Sequence, residues 1–182
     1  MKNKYTFIFV GDKGVGKRSL IHVIKSDVFP DPTFLNEYND LSTNLLLNDL
    51  TITFTIEYAL SDLIFNQKLK FIGHEAFAIC FSLDNPDSLD HVIKTWYPGI
   101  KKYFPKIPCV LLGLRSDLRD GASDESQIVS QKSGEEVREQ IGAHYYFECS
   151  SKLKNNVREP IDFILSLIQS RKQRKQKKCY IE

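Results

Sequence analysis

Nowhere do the 182 residues approach the roughly eighteen consecutive apolar positions that a membrane-spanning helix needs. Cysteine is scarce and scattered. Cys80, Cys109, Cys149 and Cys179 have neither the close pairing of a zinc site nor the density of a secreted disulfide scaffold, so the first three are expected as reduced core residues. His22, His74, His91 and His144 are equally dispersed, and none stands at metal-ligand spacing from another His or Cys. Each is expected to be a satisfied structural histidine, and no metal-ligating set is expected. The opening Met1-Lys2-Asn3-Lys4 runs into an apolar stretch too brief for a secretory signal, which points to a cytoplasmic protein. Strong positive charge is missing from the body. The net charge is +2, but residues 171 to 182 hold six Lys/Arg and one Glu, so removing that +5 leaves −3 for the remainder. A basic globular face for specific nucleic-acid binding is not indicated, and binding through the tail alone would be nonspecific and salt-sensitive.

What is present suffices for one domain with a sizeable core, since 42% of the residues are hydrophobic. Short apolar or alternating runs take turns with longer amphipathic ones, the pattern of an α/β fold. Tyr5 to Val10 reads as a strand, and Leu20, Val23 and Ile24 fall at helical spacing after an intervening glycine-rich loop. Residues 27 to 40, with Pro30 and Pro32, read as an exposed connection. Thr43 to Leu47 and Thr51 to Ile56 flank Asn48-Asp49 as a half-buried antiparallel hairpin. Between Tyr58 and Gly73 there is no clear period. Ala76 to Leu83 and Cys109 to Leu114 read as buried strands. Asn85 or Asp87, beside Pro86, starts a helix carrying Leu89, Val92, Ile93 and Trp96, which Pro98-Gly99 is expected to disturb. Ser133 with Glu136 predicts a capping box for a helix closed by Gly142. Tyr145 to Cys149 is the last strand, before a helix with Ile161, Ile164, Leu165 and Ile168 on one face.

The segment Gly11-Asp12-Lys13-Gly14-Val15-Gly16-Lys17-Arg18 matches the G-x-x-x-x-G-K part of the P-loop pattern, in the strand-to-helix context that pattern requires. An ordinary Gly-rich turn would not need both glycines and the lysine in register. Gly11 and Gly16 let successive backbone N–H groups face a phosphate, the helix adds the positive end of its dipole, and Lys17 adds a point charge. The full pattern places Ser or Thr after the lysine to ligate Mg²⁺, and here that position is Arg18. Ser19 does not substitute, because one helical residue turns the side chain by about 100°. Arg18 repels a divalent cation, and Lys13 adds a second positive charge nearby.

At this point the chain resembles a Rho-type small GTPase of the Ras superfamily, over nearly its whole length. The stretches that carry the likeness include Ile79-Cys80-Phe81-Ser82-Leu83, Trp96-Tyr97-Pro98, Asp117-Leu118-Arg119-Asp120 and Glu148-Cys149-Ser150. The resemblance implies an α/β P-loop G domain over residues 1–170, built on a mostly parallel six-stranded sheet with helices on both faces, and a polybasic tail over 171–182. It implies GTP or GDP as ligand, held by Lys13, Gly14, Val15, Gly16, Lys17, Arg18 and Ser19. The guanine base would be read by Leu114-Arg115-Ser116-Asp117 and by the Ser150-Ser151-Lys152 turn. Asp117 would discriminate guanine, with Arg115 in place of a lysine whose stem packs over the base. The segment between Asp117 and Ser150 implies a shortened insert helix.

The switch elements depart from that family. Alignment from Phe29-Pro30 puts Asn36 where a threonine holds Mg²⁺, with Thr33 out of register. No D-x-x-G occurs between residues 50 and 80, where residues 56 to 62 read Ile-Glu-Tyr-Ala-Leu-Ser-Asp, and Lys13 stands where the family has glycine. Mg²⁺ is therefore expected to be weak or absent, and hydrolysis slow or absent with no catalytic residue assigned. A working switch and a nucleotide-free interaction scaffold remain as alternatives, and ATP is disfavoured by Asp117. Effector proteins, with an exchange factor or GTPase-activating protein, are the implied partners. Arg171, Lys172, Arg174, Lys175, Lys177 and Lys178 precede Cys179-Tyr180-Ile181-Glu182, the layout of a lipidated anchor at an anionic membrane surface. Tyr180 and Glu182 depart from that pattern, which leaves a solvated tail or a nuclear-import segment as the other readings.

Overall fold

Alternation along one short strand organises both sides of the molecule. In the computed structural model, which describes residues 4–31, 42–47, 50–56, 73–119 and 127–179, β1 spans Lys4–Val10. Successive side chains of a strand point to opposite faces. Tyr5, Phe7 and Phe9 accordingly join one hydrophobic core, while Ile8 and Val10 join the other. The first core is roofed by α1 (Lys17–Ser26) through Leu20, Val23 and Ile24, and by the C-terminal helix (Glu159–Cys179) through Ile161, Ile164, Leu165 and Ile168. The second is roofed by residues 86–103 through Leu89, Val92, Trp96 and Ile100, and by helix Gln131–Ile141 through Val137 and Ile141.

Among the described residues, six strands form one sheet. In chain order they are β1, β2 (Ser42–Leu47), β3 (Leu50–Ile56), β4 (Ala76–Ser82), β5 (Cys109–Leu114) and β6 (Tyr146–Cys149), and their spatial order is β2-β3-β1-β4-β5-β6. Only the β2–β3 pair is antiparallel; β1–β3, β1–β4, β4–β5 and β5–β6 are parallel. Every residue of β4 and β5 is buried, the state of strands covered on both faces, and it explains why their sequences are almost wholly apolar, Ser82 at the end of β4 being the polar exception. The expected α/β sheet and its helices are thus present. The turn Asn48-Asp49 lies outside the described residues, as do the end of the connection at 27 to 40, most of the stretch from Tyr58 to Gly73, and part of the expected insert.

Two local expectations are corrected. The helix Gln131–Ile141, here α4, is capped by Ser130, whose Oγ accepts from the Ser133 N–H at 3.0 Å, so Ser133 is the recipient of the cap and not its source. Gly142 does close it, in the left-handed region at φ 62°. Pro98 does not interrupt its helix either. Pro86–His91 (α2) passes into a π-helical turn, Val92–Trp96, and then into α3 (Tyr97–Tyr103). An interior proline has no N–H to donate and clashes with the carbonyl four residues back. The wider turn, closed by the Tyr97 N–H on the Val92 carbonyl, relieves both problems.

The C-terminal helix, α5, runs through the basic segment to Cys179. Its lower part docks on the foot of the sheet: Lys172 Nζ lies 2.6 Å from Glu75 Oε1 and 4.3 Å from the Tyr5 ring centroid, while Glu75 Oε2 accepts from the Thr6 N–H at 3.2 Å. Elsewhere α4 sits so close to β6 that a Cβ on Gly134 would be 2.3 Å from the Tyr146 ring. Tyr146 cannot yield, because its hydroxyl donates to Glu148 Oε1 at 2.7 Å.

Gly134→Ala is expected to lower stability by about 1–3 kcal/mol in urea unfolding, reversing the gain of up to about 1 kcal/mol that Ala gives in an open helix. Alkaline pH has a signed effect as well. Burial pushes the Cys80 thiol up to about 12, the charge of Lys17 opposing it, and burial also raises Cys109 and Cys149. Burial, then the bond to Glu148, raises Tyr146. The unfolded chain therefore loses these protons first. Stability should be intact below pH 9 and fall progressively towards about pH 12, as read by denaturant midpoints across that range.

Candidate functional site: a glycine-rich cradle and its neighbouring loops

The cradle begins where β1 meets β4. Val10 pairs with Ile79, and the chain then crosses the Cys80 carbonyl so closely that a Cβ on Gly11 would stand 2.1 Å from that oxygen. Gly11 also has φ +139°, so only glycine fits in space and in conformation. Gly14 and Gly16 have φ +87° and +112°, and Gly16 caps α1, where its carbonyl accepts from the Leu20 N–H at 3.0 Å. The crest, Lys13 and Gly14, is exposed, and Val15 is buried beneath it. Nothing lies within 4 Å of a Cβ built on Gly14, which leaves the crest open.

Lys17, at the first helical position, is only 4% exposed. Its Nζ donates to the Gly11 carbonyl at 2.5 Å and to the Asp12 carbonyl at 2.6 Å, so the ammonium is held under the loop by the loop's own backbone. Loop amides at a helix N-terminus beside a buried ammonium are a combination able to receive an anion such as a polyphosphate. Arg18 and Ser19, half-buried, follow on α1. A guanidinium has donors and no lone pair to offer. The residue after Lys17 consequently cannot ligate a divalent cation, and among the described residues no cluster of three or more His, Cys, Asp or Glu could hold one.

A second group of loops gathers beside the cradle at the ends of β5 and β6. Arg115, following β5, takes the left-handed conformation at φ 62°, which starts the 3₁₀ turn Ser116–Leu118. Its guanidinium donates to the Gly14 carbonyl at 2.6 Å and to Asp84 Oδ2 at 3.1 Å. Arg115 thereby ties the crest of the cradle to this loop. Asp117 Oδ1 accepts from Ser150 Oγ at 2.6 Å, and that Oγ in turn accepts from the Leu153 N–H at 3.0 Å. Paired bonds between Ser150 and Asn155 tighten the turn, with Ser151 buried and Lys152 exposed. Arg119 fastens the same two segments: it makes a two-pronged contact with Glu148, Nη2 lying 2.7 Å from Oε1, and it donates to the Val129 carbonyl at 2.9 Å. The pairing with Glu148 holds the Arg119 proton more tightly.

Residues 13 to 19 thus sit in one loop and helix start, joined through Arg115 to the loops that carry Asp117 and Ser150. Thr33, Asn36 and the segment from residue 57 to 72 lie outside the described residues. Cys179 ends α5, which carries the basic run. A polar cavity of about 510 Å³ at the free edge of β6 includes Ser116, Arg119, Glu148 and Asn155 but no cradle residue, so it is separate from the anion site.

The sequence gives no sign that Asp12 of the cradle, His91 and Trp96 meet. The Asp12 carboxylate receives His91 Nδ1 at 2.6 Å and Trp96 Nε1 at 2.8 Å, across 79 and 84 residues of chain. By spacing alone His91 is expected only as a structural histidine. Trp96 is the single tryptophan of the chain, but nothing in the sequence pairs it with Asp12.

Gly11→Ala is expected to cost about 3 kcal/mol in urea unfolding, since overpacking against backbone and a left-handed φ add together. A profile of the Ras family matches this chain over residues 6–170.

Proposed function

Since the chain belongs to the Ras family, whose members bind GTP and GDP as signalling proteins, we propose that it is a Rho-like member that retains guanine nucleotide and hydrolyses GTP slowly or not at all. The observation that carries this reading is the buried Lys17 ammonium, held between the Gly11 and Asp12 carbonyls at the start of α1 beneath an open crest. Lys17 and the amides of residues 13 to 19 bind the phosphates. Asp117, oriented by Ser150, reads the base, with Arg115, Ser151 and Lys152 beside it.

The slow chemistry follows from what replaces the usual groups. Phosphoryl transfer is catalysed by positioning and electrostatics, and an arginine finger alone is worth about 10³ to 10⁵ in rate. Arg18 stands in place of the metal-ligating hydroxyl, Lys13 obstructs the approach of a finger, and the sequence supplies neither a D-x-x-G nor an in-register switch threonine. Lys13 and Arg18 supply charge that a metal ion would otherwise bring, so Mg²⁺ is weakly held. Loss of γ-phosphate sensing also removes the differential contacts through which GTP and GDP select different shapes. The Rho-like stretches quoted above support that branch and partners of the effector and exchange-factor kinds. The basic run on α5 supports attachment to an anionic membrane surface on the cytoplasmic side, with Cys179 as the lipidated residue, each cation adding about 1 kcal/mol.

The purified protein should release GTP or GDP on denaturation, and chelating Mg²⁺ with EDTA should change nucleotide affinity less than about threefold. Single-turnover phosphate release should run at least tenfold below the roughly 4 × 10⁻⁴ s⁻¹ of an unassisted small GTPase. A rate at or above that value would establish a working switch, strong Mg²⁺ dependence would refute charge compensation, and absence of nucleotide would leave a scaffold.

A further inference from the structure

Asp12 places a carboxylate inside a loop built to receive phosphate, and the structure shows where that carboxylate is kept. It is 16% exposed and turned towards the helical segment of residues 86–103. His91 Nδ1 donates to Oδ2 at 2.6 Å and Trp96 Nε1 donates to Oδ1 at 2.8 Å, so each oxygen has its own partner. The backbone carbonyl of the same residue accepts from Lys17 Nζ at 2.6 Å. Asp12 is therefore fastened twice, by side chain to the helical layer and by backbone to the lysine of the site.

The two donors could not meet Asp12 from a regular helix. Residues five apart on an α-helix project about 140° from one another. Between His91 and Trp96 the chain forms the π turn Val92–Trp96, in which the Tyr97 N–H reaches the Val92 carbonyl five residues back. That wider turn brings residue i+5 back over residue i, and so aims both donors at one carboxylate. π-Helical turns account for well under about 1% of residues, and they concentrate at functional positions.

We propose that Asp12, His91 and Trp96 form a clamp that holds the phosphate loop in its ligand-ready shape, acting as positioning residues for nucleotide retention. The clamp anchors the start of the loop, Arg115 anchors its crest through the Gly14 carbonyl, and Gly11 is wedged against Cys80. His91 and Trp96 touch no phosphate on this reading; they act through Asp12. That part of the inference which concerns nucleotide retention rests on the nucleotide-binding reading above, whereas the effect on the loop does not.

Hydrogen exchange of amides 11–16 in the full chain is the first test, on His91→Ala, Trp96→Phe and Asp12→Ala. His91→Ala and Trp96→Phe should each speed exchange in the loop about tenfold, the loss that goes with one hydrogen bond to a charged group, and Asp12→Ala, which loses both bonds, should speed it at least as much, while β4 and β5 keep their protection. His91→Asn, which retains a donor near the Nδ1 position, should restore most of the protection. Asp12→Ala/His91→Ala should be no worse than Asp12→Ala alone, because the two share one interaction. The second test is the release rate of preloaded fluorescent GDP, expected to rise about tenfold in the same variants with the same rescue. Unchanged loop exchange in both His91→Ala and Trp96→Phe would overturn the clamp, as would equal behaviour of His91→Ala and His91→Asn, or additive effects in the double variant. If the wild-type chain carries no nucleotide, the nucleotide reading fails while loop exchange still decides the clamp.

Discussion

The close crossing of Gly11 over the Cys80 carbonyl is the constraint on which the rest of the site depends. It exists because β1 and β4 are adjacent and parallel, with Val10 beside Ile79, so the chain must leave β1 directly over the end of its neighbour. A residue with a side chain could not pass. Once it has passed, the Gly11 and Asp12 carbonyls both face the first residue of α1, and Lys17 is drawn beneath the loop by them. The Asp12 side chain is delivered at the same time to the opposite helical layer, where the π turn meets it. One backbone approach therefore determines the shape of the cradle, the burial of its lysine and the direction of its carboxylate.

Around that cradle the charges are arranged for an anion. Lys13 on the crest, Lys17 beneath it, Arg18 on the first turn and Arg115 across it gather four cations about one loop, and Asp12 and Asp84 are each engaged by a donor from elsewhere. On the proposed reading the ligand itself becomes the counter-ion of this group, and the protein relies on fixed side chains where relatives rely on a metal. On the same proposed reading, the arrangement favours retention over turnover. Only contacts that are stronger in the transition state than in the ground state accelerate a reaction, and on that reading the groups that would make them are the ones replaced.

Much of this was legible locally. The strands of the sheet follow from apolar runs and strict alternation, and the cradle follows from two glycines and a lysine in register between a strand and a helix. Gly142 was readable as a helix end and Asn85 as one of two candidate helix starts, because cap preferences involve only a few neighbouring residues. Elsewhere local rules misled. Ser133 satisfied a capping pattern, but Ser130 three residues earlier took the cap, and two serines at that spacing are not ranked by propensity alone. Pro98 was expected to disturb its helix on a rule that assumes α geometry, and a preceding π turn accommodates it so that the helix continues.

By itself, the sequence determined the α/β class, the two-sided burial of β4 and β5, the position of the phosphate loop and the absence of a hydroxyl after its lysine. These are matters of residue type and short-range spacing, where each residue constrains only its near neighbours. Tertiary structure alone decided that Arg115 reaches the Gly14 carbonyl, that Arg119 is paired with Glu148, and that His91 and Trp96 hold Asp12. Those partners lie 29 to 101 residues apart, and no periodicity couples them. They meet because parallel strands deliver loop after loop to the same end of the sheet, and that convergence exists only once the sheet has formed.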